Sequence, residues 1–349
     1  MSRQSPEQSP ATLPGDVALP ARLFDLIQAP LRWQLLAAGL EFGLFDRLAA
    51  PATAADLAAD LSLDAGRLGH ALDALAAMEL LVKSDGRYRL AEAAAPYLRA
   101  DGERSLRDLL TTLPRLRHGD VAALLRGEAG GAPLDMAAPE FWDRSAFSLR
   151  AFHRGMGAAA MVAVLESLPE WPSARRFLDV GAGSETLALA VAQRRPDMTS
   201  ALVDLPPMAD RIAGRLAAAG PAGRRVAVIA GDFNDVAFGD PEKGGGYDVI
   251  WASLTLYYAR DLVALLAKAR RALAPGGVFV SLHEGLTAER SRPETHVVGR
   301  LVAALRGQDR SFDRGAIAAA LSAAGFARVE SRDVATAFGP FRLDCGRDS

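Results

Sequence analysis

The 349-residue chain has a single cysteine, Cys345, so no disulfide forms within it, and a reducing, cytoplasmic setting is the simplest expectation. No uninterrupted run of about 18 apolar residues occurs, so no segment is expected to span a membrane. Net charge is also small. Charged residues make up 23% and the formal net charge is -2, which gives no reason to expect nucleic acid or an anionic membrane as partner. No metal site is expected. The opening residues, "MSRQSPEQSPATLPGD", lack the apolar centre of a signal peptide and read as a disordered tail over 1–16. What is abundant is apolar side chain, half of all residues, which is globular composition at a length that suits two or three domains.

Residues 17–100 read as a mainly helical module closed by a hairpin. "APLRWQLLAAGLEFGLFDRLA" carries apolar residues at helical spacing, and "TAADLAADLSLDAGRLGHALDALAAMELL" reads as two short helices. "LVKSDGRYRL" places Asp85-Gly86, a tight-turn pair, between two alternating runs. Helices followed by a hairpin make a winged helix. Such a module can read DNA, but its second helix offers only Arg67 and His70 as phosphate contacts, beside Asp64 and Asp73. Dimerisation is the better reading.

Residues 101–170 read as a helical linker with pocket helices. Phe147, Phe152, His153, Met156 and Met161 recur there at roughly helical intervals, either as a core face or as the wall of a pocket for a flat ligand. From 171 to 349 strands and helices alternate: "RFLDV", "TSALVDL", "RVAVIAG", "YDVIWAS" and "GGVFVSL", then a late pair in "ARVESRDV" and "FRLDCG". That is the signature of an α/β domain with a mostly parallel sheet and helices on both faces, whose ligands bind at the carboxyl ends of the strands. Trp251 reads as core.

The first strand runs into Gly181-Ala182-Gly183-Ser184-Glu185-Thr186. A dinucleotide site requires G-x-G-x-x-G/A, and Thr186 breaks that pattern. Glu185 would repel a pyrophosphate and attract a cationic cofactor such as S-adenosylmethionine, which carries a sulfonium and an ammonium. Other strand ends fit the same cofactor. Asp204 can take both ribose hydroxyls, and Asp232-Phe233 can bond an adenine amino group and cover its face.

In this order, "FLDVGAGSETLAL", "LVDLP", "GDF", "LTLYYARD", "RRALAPGGVFV" and "GQDRS" resemble the plant-type (caffeate/acetylserotonin-like) S-adenosylmethionine-dependent O-methyltransferases. The resemblance spans nearly the whole chain after the tail. It implies a Rossmann-like methyltransferase domain behind a winged-helix dimerisation domain, a homodimer, and a small-molecule acceptor, planar and of the secondary-metabolite or pigment type. It implies cofactor contacts at Asp179, Gly181, Gly183, Asp204, Leu205, Asp232, Phe233 and Ser253, with Glu185 where the family has a third glycine.

The family's proton-abstracting histidine and its two flanking glutamates match Tyr257, His283 and Asp309 in this sequence. A phenol of pKa about 10 is a poor base at pH 7, whereas an imidazole near 6.5 is well matched. His283 is therefore expected to act as base, Asp309 to orient it and Tyr257 to position the acceptor. The alternative is that the base is lost and that proximity serves an acceptor already ionised at neutral pH. His296 and Arg300 fall in the segment that covers the acceptor in the family, and with Phe147, His153 and Met156 they are the candidate acceptor contacts. A cofactor-bound but non-methylating enzyme, and a ligand-sensing winged-helix dimer, are the competing functions.

Overall fold

The computed structural model describes residues 18–117, 119–128, 139–239 and 246–348. The expected tail, residues 1–16, lies outside them. Contacts divide the chain after Ala95 into two compact units. Residues 96–100 fall in the second because the turn that follows folds back on them, with Leu106 N–H donating to Tyr97 O at 2.8 Å.

The first unit opens with the helix Ala18–Glu41. Its Leu19, Leu23, Phe24, Leu26, Ile27 and Leu31 are all exposed, and an apolar stripe of this extent marks an interaction surface. Thr53 starts the helix Ala54–Leu61 through a capping box with Asp56, and Asp64 caps the helix Ala65–Ala77. Strands β1 (Ala52–Thr53), β2 (Leu81–Ser84) and β3 (Arg87–Leu90) pair in the order β1-β3-β2. Asp85 and Gly86, at φ 50 and 72, make the β2–β3 turn that a two-residue hairpin demands. The winged helix is as expected. Both acids beside Arg67 and His70 have structural partners: Asp64 caps its helix, and Asp73 accepts bonds from Lys83 and from Tyr88 Oη at 2.7 Å.

The second unit carries β4 (Arg176–Val180), β5 (Thr199–Asp204), β6 (Val226–Ala230), β7 (Tyr247–Ser253), β8 (Leu273–His283), β9 (Arg328–Thr336) and β10 (Gly339–Arg347). They form one sheet in the order β6-β5-β4-β7-β8-β10-β9, parallel from β6 to β8, with β10 antiparallel to both neighbours. Consecutive strand residues are buried on opposite faces. Leu178, Ile250 and Phe279 pack towards the helices Leu262–Arg271 and Ala316–Ala323, and Phe177, Trp251 and Val280 towards Ala158–Glu166 and Thr186–Arg194. Strand order reverses direction at β4, which opens a crevice beyond its carboxyl end. No helix among the described residues is long and apolar enough to cross a membrane.

Candidate active site

The glycine loop leaves β4 at that crevice. Gly181 and Gly183 both lie in the left-handed region, at φ 67 and 66, and a Cβ on Gly181 would stand 2.1 Å from Thr255 Oγ1. Only glycine fits there. Gly183 N–H donates to Asp204 Oδ2 at 2.6 Å, and Leu205 N–H donates to Asp204 Oδ1 at 2.8 Å. Burial pushes the Asp204 carboxyl up to about 6 against the pull of those two bonds. Asp179, inside β4, is pushed up to about 8 by its own burial and by the charge of Asp204. After β6, Asp232 takes the N–H and side-chain amide of Asn234, both at 2.8 Å, and Arg260 at 3.2 Å. Burial raises its pKa, and these partners pull it net below the ordinary value. Phe233 beside it packs into the core. At the end of β7, Ser253 Oγ is buried with no hydrogen-bond partner, which leaves a donor for a ligand. Carboxylates at adjacent strand ends, an unpartnered hydroxyl and two glycines with no Cβ suit S-adenosylmethionine.

Glu185 does not face this crevice as a free charge. It is buried, and its side chain makes no cap to its own helix. Its Oε1 meets Arg150 Nε at 2.6 Å, on the helix Pro139–Phe152, and its Oε2 meets Arg215 at 3.5 Å, on the helix Pro206–Ala218. Sequence reasoning placed the glutamate and missed both arginines, which lie 35 and 30 residues away. A π-helical turn, His153–Gly157, follows the first of these helices. It brings His153 Nδ1 to 2.7 Å from Ser184 Oγ, so this histidine meets the cofactor loop. Burial lowers its pKa to about 4, against the opposing charge of Glu185. Phe147, by contrast, is largely exposed, with Arg215 over its ring. The side chain of Met156 lies outside the described residues.

On the other side of β7, Tyr257 sits in a 3-10 turn, Leu256–Tyr258. Arg300 lies over its ring at 4.9 Å, on the helix Glu294–Leu305, and pairs at 2.6 Å with Glu284 just past β8. Burial raises the pKa of the Tyr257 phenol, so it stays protonated. Sequence reasoning missed Glu284, one residue beyond His283. It also missed Arg310, which lies over Tyr258 and donates to its hydroxyl at 2.9 Å.

Three expectations for this side are corrected. His283 is fully buried, and its Nε2 accepts N–H bonds from Thr255 and Leu256, both at 3.0 Å. Its Nδ1 must then carry the proton and donate to Ser281 Oγ at 2.9 Å. With both nitrogens engaged, and its pKa lowered to about 3 by burial and by the charge of Arg300, this ring cannot take a proton from an acceptor. Asp309 does not orient it. That carboxylate is half-exposed and paired with Arg290 at 2.6 Å. His296 turns from the pocket to β10, where Nε2–H donates to Pro340 O at 3.0 Å and the ring packs on Phe341.

A methyltransferase-domain family model matches residues 152–331, just over half of the chain, and an O-methyltransferase dimerisation-domain model matches residues 24–100. The chain is 29% identical over 256 residues to 3-hydroxy-5-methyl-1-naphthoate 3-O-methyltransferase of Streptomyces sahachiroi, covering 68% of this chain and 69% of that one. It is 29% identical over 273 residues to the N,N-dimethyltransferase OxyT of Streptomyces rimosus, covering 76% and 78%. A shorter match, 36% identical over 115 residues, joins it to aclacinomycin 10-hydroxylase RdmB of Streptomyces purpurascens, over 32% of this chain and 29% of that one. Its fold matches an O-methyltransferase family protein from Burkholderia thailandensis with TM-score 0.75 at 23% identity, covering 94% and 98%. It also matches human N-acetylserotonin methyltransferase in complex with S-adenosylmethionine, with TM-score 0.72 at 18% identity, covering 97% and 100%. The chain thus belongs to the S-adenosylmethionine-dependent methyltransferases of the O-methyltransferase family, in which a dimerisation domain precedes the methyltransferase domain.

Proposed function

We propose that this enzyme methylates a small planar acceptor, on oxygen by default, without a histidine to remove the acceptor's proton. The observation that carries this reading is the bonding of His283, which commits both ring nitrogens to the fold. When bound, S-adenosylmethionine supplies an electrophilic methyl on sulfonium. Asp204 would hold the ribose hydroxyls, Asp232 the adenine amino group, and Ser253 the third contact in the crevice, with Asp179 and Leu205 shaping its floor. Tyr257, kept protonated, donates a hydrogen bond to the acceptor and aims its nucleophile. Arg300, held by Glu284, fixes the tyrosine ring. Alignment does most of the work, which suffices for a nucleophile already ionised or unprotonated at neutral pH. The hydroxynaphthoate in the name of one relative supports a planar acceptor of the secondary-metabolite type.

The test is release of S-adenosylhomocysteine with hydroxynaphthoates and thiophenols of graded acidity, followed across pH. The rate should inflect at each acceptor's own pKa. With S-adenosylmethionine saturating at every pH, so that the titration of Asp204 does not enter the rate, one inflection near 6.5 shared by all acceptors, or no release with any, overturns the reading. A cofactor-bound, non-methylating enzyme is the second reading, supported by the 10-hydroxylase relative and by the bonds that commit both ring nitrogens of His283 to the fold. Acceptor consumed without S-adenosylhomocysteine would establish it. The same proposal includes a cytoplasmic setting and a homodimer, the homodimer supported by the exposed stripe on the helix Ala18–Glu41 and by the dimerisation-domain match. Ile27→Asp should convert the dimer to a monomer in sedimentation, and an unchanged mass would place the contact elsewhere.

A further inference from the structure

We infer that Glu185 is a positioning residue for the cofactor loop, acting through Arg150 and Arg215 rather than by touching the cofactor. The inference rests on the cofactor-binding reading above. Each residue of the loop is tied to a neighbour outside it. Gly181 and Ala182 N–H bond Val203 O in β5, Gly183 N–H bonds Asp204, and Ser184 Oγ meets His153. Glu185 carries the loop's one charged side chain. Its side chain is 4% exposed and lies between two guanidiniums from two helices, one before and one after it in sequence.

A carboxylate so buried is held in place only while both charges face it, because a lone buried charge is expensive. The ion pairs therefore fix the loop against the helix Pro139–Phe152, whose Leu149 and the adjoining His153 already stand beside Gly183. The carboxylate that should take the ribose is bonded to that same Gly183 N–H. Displacing Glu185 thus moves the Gly183–Asp204 contact and the covering helix together.

The test is calorimetric titration of S-adenosylhomocysteine into the wild type, Glu185→Gln, Glu185→Gly, Arg150→Gln, Arg150→Lys and the double variant Arg150→Gln/Glu185→Gln, with thermal unfolding of each. Glu185→Gln and Arg150→Gln should each weaken binding on the order of tenfold, the effect of removing a group that orients a contact residue. The double variant should be no weaker than either single one, and Arg150→Lys should bind nearly as the wild type does. Variants that melt earlier yet bind with wild-type affinity would overturn the inference, since the clamp would then serve stability alone. Tighter binding by Glu185→Gly would also overturn it, because the glutamate would be crowding the site. A wild type that fails to bind S-adenosylhomocysteine would remove the cofactor reading itself, an outcome distinct from both.

Discussion

The glycine-loop side of the site consists of carboxylates and backbone amides at the ends of β4 to β7, whereas the Tyr257 side consists of aromatic rings with guanidiniums laid over them. The first side is polar and titratable, with Asp204 and Asp179 pushed up to about 6 and 8. On the second, His283 and the Tyr257 phenol are both driven away from exchanging a proton near pH 7, in opposite directions. One side is suited to recognising a cofactor by charge, the other to orienting a flat acceptor by shape. The difference locates pH sensitivity in cofactor binding rather than in the enzyme's share of the chemistry.

The comparison can be broken most forcefully at His283. If it is structural, His283→Ala orphans two buried backbone N–H groups and should cost about 3 kcal/mol of stability, read by chemical unfolding. A variant that folds as stably as the wild type but loses turnover would restore the histidine as base. A smaller effect sharpens the cofactor side. The folded-state pKa of Asp204 is raised, so the ionised form that ribose hydroxyls need is lost as pH falls through about 6. Affinity for S-adenosylhomocysteine should then drop about tenfold for each pH unit below that point and level off above it. The same raised values mean that these two carboxyls hold protons more tightly folded than unfolded. Their ionisation therefore costs stability as pH rises from the ordinary carboxyl value of 3.8 up to about 6 for Asp204 and about 8 for Asp179, with no further loss above, which unfolding of the unliganded protein will report. Smallest of all, Tyr257→Phe should slow methyl transfer by about 1 kcal/mol, one hydrogen bond, and leave cofactor affinity unchanged.

The cofactor side was legible in the sequence because it depends on strand ends. Once "RFLDV", "ALVDL" and "VAVIAG" are strands of one parallel sheet, Gly181, Asp204 and Asp232 must stand at the same edge. The seven strands of the second unit and the Asp85-Gly86 hairpin followed from periodicity in the same way. The Tyr257 side was not legible, since its character is set by side chains meeting across long stretches of chain. The bonds from Thr255 and Leu256 to His283 span about thirty residues, and no local pattern announces them. Residue type alone made His283 a base, and burial made it a strut. Glu185 failed to read as a paired charge for the same reason, its arginines lying 35 and 30 residues away.

The central claim is that a cofactor sits at the carboxyl ends of β4 to β7 with Asp204 on its ribose. Calorimetric titration of S-adenosylmethionine into the wild type and Asp204→Asn at pH 8 tests it most directly. The expected result is one site per chain for the wild type and about a hundredfold weaker binding for the variant, the cost of two hydrogen bonds to a charged group. Equal affinity in the two proteins would contradict the account and place the cofactor elsewhere.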